Sequence, residues 1–170
     1  MKRNFYTTIA ASLAMAGAAL ASTLSPGSSV TTGGTNALAS PHAYGTMIHS
    51  QTDNFNILHS SGALLYQGTL ESLVFENGAG ELTFDLQIIS SEPGLNGVVG
   101  GIGRNGFGGW STDVDWRADA MGMKNPNQAD RSLDGKKIEW TGPWSGTAGI
   151  FSGESSRMLF ASTDATQFAV

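Results

Sequence analysis

The 170-residue sequence contains no cysteine, which excludes a disulfide framework, a thiolate metal site and a cysteine nucleophile. Basic residues are sparse, nine Lys and Arg against fourteen Asp and Glu for a formal net charge of -5. Beyond the pairs Lys2-Arg3 and Lys136-Lys137 they do not cluster. Phosphate binding needs a basic surface, so nucleic acid is not an expected partner. Outside the N-terminal segment no apolar run approaches the roughly 20 residues that a membrane-crossing helix needs, so no transmembrane segment is expected in the mature chain. Neither G-x-S-x-G nor H-E-x-x-H occurs, so the most recognisable hydrolase arrangements are missing and no catalytic residue is assigned.

What is present begins at the N-terminus. Lys2 and Arg3 precede a small and apolar stretch from Ile9 to Leu20, and Ala19-Leu20-Ala21 fits an A-x-A cleavage site. This three-part pattern predicts a helical signal peptide over residues 1–21, cleaved after Ala21, and hence a secreted or cell-surface protein. Removal leaves roughly 150 residues, the usual size of one domain. Residues 22–63 open with a Ser, Thr and Gly-rich run lacking any strand or helix period. They read as a flexible leader with room for a first strand, before a domain over residues 64–170.

From Leu64 the pattern sharpens. Leu64, Tyr66, Leu70 and Val74 share one parity and Gln67, Thr69 and Glu71 the other, as in a half-buried strand. Leu73 and Phe75 break the alternation, which implies a bulge or burial on both faces near residue 73. After Asn77-Gly78 and Gly80, Leu82, Phe84, Leu86 and Ile88 alternate with Thr83, Asp85 and Gln87, completing a hairpin. Shorter alternations at 112–117 and 137–141, runs around Met158-Phe160 and Phe168-Val170, and turns rich in Gly and Pro complete the pattern. They predict an all-β fold, an antiparallel β-sandwich of jelly-roll or immunoglobulin-like type. The run Thr166–Val170 has no turn after it, which suggests that the chain continues.

Several constellations bear on function. Gly101-Ile-Gly103-Arg-Asn-Gly106 matches G-x-G-x-x-G but is followed by Phe107-Gly-Gly-Trp110. That is poor material for the helix a dinucleotide site requires, so a glycine loop is the plainer reading. Asp113 and Asp115, with Asp119 nearby, are the candidate Ca²⁺ ligands, against the plainer reading of a solvated acidic edge. Of the four tryptophans, Trp116 and Trp140 lie on apolar parities and read as core. Trp110 and Trp144 flank turns and are the candidate platforms for stacking on sugar rings. His42, His49 and His59 match no local metal motif, and Glu76 and Glu81 flank an exposed hairpin tip where nothing would raise one pKa.

The Ala-rich signal segment, the Gly-rich leader, the strands Gly68-Thr-Leu-Glu-Ser-Leu-Val74 and Gly80-Glu-Leu-Thr-Phe-Asp-Leu86, and the segment Ser155–Val170 together resemble exported bacterial proteins of the PEP-CTERM type. These are surface or matrix proteins of Gram-negative bacteria with a C-terminal sorting tail. No Pro-Glu-Pro motif lies within these residues, and the resemblance places such a tail beyond Val170. It implies an extracellular β module, with polysaccharide or matrix as partner, and transfers no catalytic residue. The expected function is therefore a non-enzymatic surface or matrix protein. A carbohydrate-binding module and a secreted hydrolase are the alternatives.

Overall fold

The structure, a computed structural model, describes residues 20–169. The expected signal peptide lies outside the described residues except for Leu20 and Ala21. Twelve strands follow: β1 (Ser22–Thr23), β2 (Ser29–Thr31), β3 (Thr46–Leu58), β4 (Leu64–Glu76), β5 (Leu82–Ser91), β6 (Val98–Val99), β7 (Gly101–Asn105), β8 (Thr112–Trp116), β9 (Gln128–Arg131), β10 (Lys137–Thr141), β11 (Ile150–Phe151) and β12 (Leu159–Thr163), with one 3-10 turn at Pro41–Ala43. No helix among the described residues is long and apolar enough to cross a membrane.

The strands form antiparallel sheets, six-stranded in the order β1-β8-β12-β5-β4-β3 and four-stranded in the order β2-β9-β10-β7, plus a ribbon of β6 and β11. The two larger sheets pack as a sandwich, the architecture that the alternation predicts. Its core draws Tyr66, Leu86, Ile88, Val114, Leu159 and Ala161 from the first sheet and Ile102, Ala129, Ile138 and Trp140 from the second. Burying an indole such as that of Trp140 removes about 150–250 Å² from water, worth at most roughly 4–6 kcal/mol at 25 cal/mol per Å².

The predicted hairpin is β4–β5. Asn77 closes it, its Oδ1 accepting the N–H groups of Ala79 at 2.9 Å and Glu81 at 3.0 Å, while Gly80 takes the positive φ of 82° that the turn needs. Of the two explanations for the parity break at residue 73, burial on both faces holds, while the bulge lies away from it, with Ile89 of β5 as its extra residue. The ladder shifts between Thr69 and Leu70, and Leu73 and Val74 are both buried although they face opposite sides.

Residues 22–63 depart from the expected flexible leader, for they build β1, β2 and β3 and supply strands to both sheets. Leu24 is wholly buried and its N–H donates to Thr112 O at 2.8 Å. The physical reason is that backbone pairing and hydroxyl bonds replace an apolar stripe: buried Thr32 donates to Pro126 O at 2.9 Å, and buried Thr35 to Ser40 Oγ at 3.0 Å. Gly34, at φ 82°, lies so close to Trp116 that a Cβ there would sit 2.5 Å from the ring. This segment lies against β8, with Thr35 N donating to Trp116 O and Ala118 N to Thr35 O.

The outer face of the six-stranded sheet is consequently covered over β5. Thr83, Asp85 and Gln87, on the polar parity of β5, are all buried, and Gln87 Nε2 donates to the carbonyls of Met121 and Ser156. At the other end of the chain, residues 164–169 form no strand, contrary to the pattern read at Phe168–Val170.

Candidate functional site: a groove at Arg104

The four-stranded sheet ends at β7, whose Arg104 faces the six-stranded sheet at Phe84. Arg104 of β7 lies over the Phe84 ring of β5, its guanidinium carbon 4.9 Å from the centroid. Phe107 meets the same ring edge-on at 5.8 Å and Phe168 at 6.2 Å, and His49 of β3 contacts Phe168 at 5.7 Å. Phe84, Arg104, Phe107, Trp110, Gln167 and Phe168 line a cavity of about 270 Å³. Across Arg104 and Phe168 a smaller hollow of about 140 Å³ opens toward His49, Gln51 and Ser72.

Within this groove Arg104 Nη1 is buried and has no hydrogen-bond partner among the described residues. Burial lowers its pKa, and the charge of Asp85 acts in the opposite direction. An unpaired guanidinium N–H in such a setting is costly, and an acceptor brought by a ligand would satisfy it. Trp110 stands at the rim, 42% exposed. Its backbone is held, with N–H donating to Phe107 O at 3.3 Å and the carbonyl accepting from Arg131 Nη2 at 2.8 Å. A fixed, exposed indole beside a cation and the amides of Asn105 and Gln167 can stack on a ring and bond its polar substituents.

Arg131, the last residue of β9, is only 5% exposed and holds this loop in place. Its Nε donates to Gly135 O at 2.9 Å, Nη1 to Leu24 O at 2.9 Å and Thr112 Oγ1 at 3.0 Å, and Nη2 to Phe107 O at 2.7 Å and Trp110 O at 2.8 Å. All five guanidinium N–H groups are thereby used. One side chain joins the first buried segment, the β7–β8 loop, β8 and the β9–β10 turn. Neither arginine stands out in the sequence. The available signal is parity: Arg131 shares a face with Ala129, and Arg104 shares one with Ile102.

Of the predicted sugar platforms, Trp110 is exposed in the groove and Trp144 is not. Trp144 is completely buried and its Nε1 donates to Gly100 O at 2.9 Å, because the turn beside Pro143 folds back over the core instead of pointing away. Trp140 is core as expected, whereas Trp116 is only half-buried and packs against the core's edge. The G-x-G-x-x-G segment is neither a phosphate loop nor a flexible one but the strand β7 paired with β10. A Cβ on Gly101 would meet Glu139 Oε1 at 2.8 Å and one on Gly103 would meet Lys137 Cε at 3.0 Å, so these glycines make room for cross-strand side chains.

The three predicted Ca²⁺ ligands do not form a metal group; among the described residues no three His, Asp or Glu side chains are so arranged. Asp113 Oδ1 accepts from Thr23 at 2.6 Å. Asp119 Oδ1 accepts from the Tyr44 hydroxyl at 3.0 Å. Asp115, expected in solvent, is 1% exposed, and its Oδ1 accepts the N–H groups of Gly34 and Trp116, both at 2.9 Å. Burial pushes its pKa up to about 6, against the pull of those backbone donors. His59 lies in the β3–β4 turn bonded to Ser61, well along the strand from His49.

A second polar cluster lies on the outer face. Asp85 is completely buried, flanked in register by Leu73 and Phe160. Neither carboxyl oxygen has a hydrogen-bond partner, and the Arg117 guanidinium is 3.7 Å away. Burial pushes the Asp85 pKa up to about 8 although Arg117 draws it down. Arg117 in turn lies over the Tyr44 ring at 4.2 Å, and burial, then Asp119, raises the Tyr44 hydroxyl to about 12. Through its contacts with Asp85, Asp119 and Tyr44, Arg117 ties the covering segments to the sheet. No protein-family model, curated protein or solved structure matches the chain.

Proposed function

We propose that this chain is an exported, non-enzymatic structural protein of the cell surface or extracellular matrix, of the PEP-CTERM type that its sequence resembles. The observation that carries this reading is the hairpin β3–β4. Two strands of thirteen residues each extend the larger sheet and leave its outer edge exposed. A long free edge is a device for assembly, which a protein acting alone normally blunts. Export agrees with where the strands start. β1 begins at Ser22, directly after the predicted cleavage point. The test is to follow the full chain in a Gram-negative host. Recovery at the cell surface or in the medium, with Ser22 as first residue, supports the reading, and an intact Met1 chain confined to the cytoplasm contradicts it.

A second reading, carbohydrate binding, is favoured by the Arg104 groove, where Trp110 is exposed beside an unpaired guanidinium N–H. In a glycan-array screen this reading expects saturable binding that Trp110→Ala and Arg104→Ala both abolish. Binding unchanged in both variants would remove it.

A further inference from the structure

We infer that β3 docks a second copy of this chain, edge to edge and antiparallel, joining two six-stranded sheets into one continuous sheet. The inference deepens the structural reading above by naming the partner.

Among the described residues β3 is the longest sheet edge by far: the opposite edge of its sheet is the two-residue β1, and the other sheet ends in the three-residue β2 and the five-residue β7. Edges are ordinarily protected by Lys, Pro or brevity. The strand Thr46–Leu58 contains no Lys, Arg or Pro and one carboxylate, Asp53. Its ends expose Met47, Ile48, Ile57 and Leu58.

The pattern along the strand is self-complementary. A two-fold axis perpendicular to a sheet keeps every side chain on its own face, so each residue must meet one of its own parity. The register that overlays the middle of the strand on itself is then centred on Thr52. It sets Thr52 against Thr52, Ser50 against Asn54 of the second copy, Gln51 against Asp53 and His49 against Phe55. Threonine pairs and hydrogen-bonding or aromatic pairs of this kind stabilise antiparallel ladders. Asp53 avoids its own copy, whereas a register centred on it would oppose two like charges. Gln51 and Asp53 already bond within one chain, Nε2 to Oδ2 at 2.8 Å, so the same chemistry recurs across the axis. The ladder to β4 shifts between Met47 and His49 and again between Ile57 and Leu58. Regular pairing therefore spans the middle, and the apolar ends of one copy come beside those of the other.

Because the chain has no cysteine, single cysteines report this register directly. Residues directly opposite across an antiparallel pair lie about 4.5–5.5 Å apart at Cα, within disulfide reach. In the full exported chain, Thr52→Cys is expected to oxidise to a covalent dimer on its own. Ser50→Cys and Asn54→Cys are expected to stay uncoupled alone and to cross-link when mixed. The unmodified chain is expected to sediment at twice its monomer mass. Thr52→Lys should sediment as a monomer with an unchanged circular dichroism spectrum, and an equimolar mixture with Thr52→Glu should restore the dimer. A wild-type chain that remains monomeric up to high micromolar concentration, or a dimer indifferent to Thr52→Lys, overturns the inference. A monomer recovered outside the cell refutes the pairing and leaves export standing, while a dimer held in the cytoplasm does the reverse.

Discussion

Replacing Arg131 by Met keeps the length of the side chain and removes all five donors. The carbonyls of Leu24, Phe107, Trp110 and Gly135 and the hydroxyl of Thr112 then lose a partner in one step. Each buried polar group left unpaired costs about 1–3 kcal/mol. Trp110 lies near solvent and recovers water, and the enclosed carbonyls of Leu24 and Phe107 each keep a second donor, Thr112 Oγ1 at 3.0 Å and Trp110 N–H at 3.3 Å, whereas the buried carbonyl of Gly135 is left without the guanidinium. Removing the buried charge returns part of the loss, because no described carboxylate forms an ion pair with the guanidinium, Asp164 acting only through its charge, and its desolvation is no longer imposed. The balance is a loss on the order of 3–5 kcal/mol, roughly a fifth or more of the stability of a typical domain. For a chain of this size that lowers the melting temperature by roughly 10 °C. Urea titration followed by tryptophan fluorescence measures it. Arg131→Lys sharpens the test, since an ammonium retains the charge but its three donors diverge from one atom and cannot span four segments; it should recover less than half of the loss. An Arg131→Met variant that unfolds within about 0.5 kcal/mol of wild type, the scatter of neutral surface changes, would refute the reasoning.

Other outcomes follow from the same geometry. Trp144→Ala should cost about 3–5 kcal/mol because the indole is fully buried, while Trp110→Ala at the groove rim should cost less than about 1 kcal/mol; chemical denaturation separates them. Gly34→Ala should destabilise by about 2–4 kcal/mol, combining a contact at 2.5 Å with a left-handed φ, and differential scanning calorimetry reads the drop. Asp85 and Asp115 titrate in the folded chain near 8 and 6, above their unfolded value of 3.8. Across that interval the unfolded chain has released protons that the folded one holds. Stability is therefore full below about pH 4 as far as these two groups are concerned, and falls as pH rises through 6 and 8. Asp85→Asn should flatten the upper part of that decline in urea midpoints measured from pH 5 to 9.

Legibility in the sequence followed the kind of burial. The hairpin β4–β5 could be read because Leu82, Phe84, Leu86 and Ile88 alternate with polar residues and Asn77 and Gly80 supply turn chemistry. The same rule misled at Asp85 and Asp115, whose polar parity implies solvent. Their face is covered by residues 33–44 and by the segment after β8, and local alternation cannot report a second layer. Residues 22–44 were illegible for a related reason, since Ser, Thr and Gly strands are held by backbone and hydroxyl bonds to partners as distant as Thr112 and Pro126. At the groove only Trp110 was legible. Arg104 and Arg131 depend on which strands become neighbours, and Trp144 is decided by the path its turn takes over the core.

The central claim is that residues 22–44 belong to the fold, their strands woven into both sheets. Native-state hydrogen exchange on the full chain tests it most directly. The account predicts that the amides of Leu24 and Thr32 exchange as slowly as that of Arg131, whose bonds bind the same segments together. Exchange across residues 22–44 at the rate of an unstructured peptide, with the later strands still protected, would contradict it.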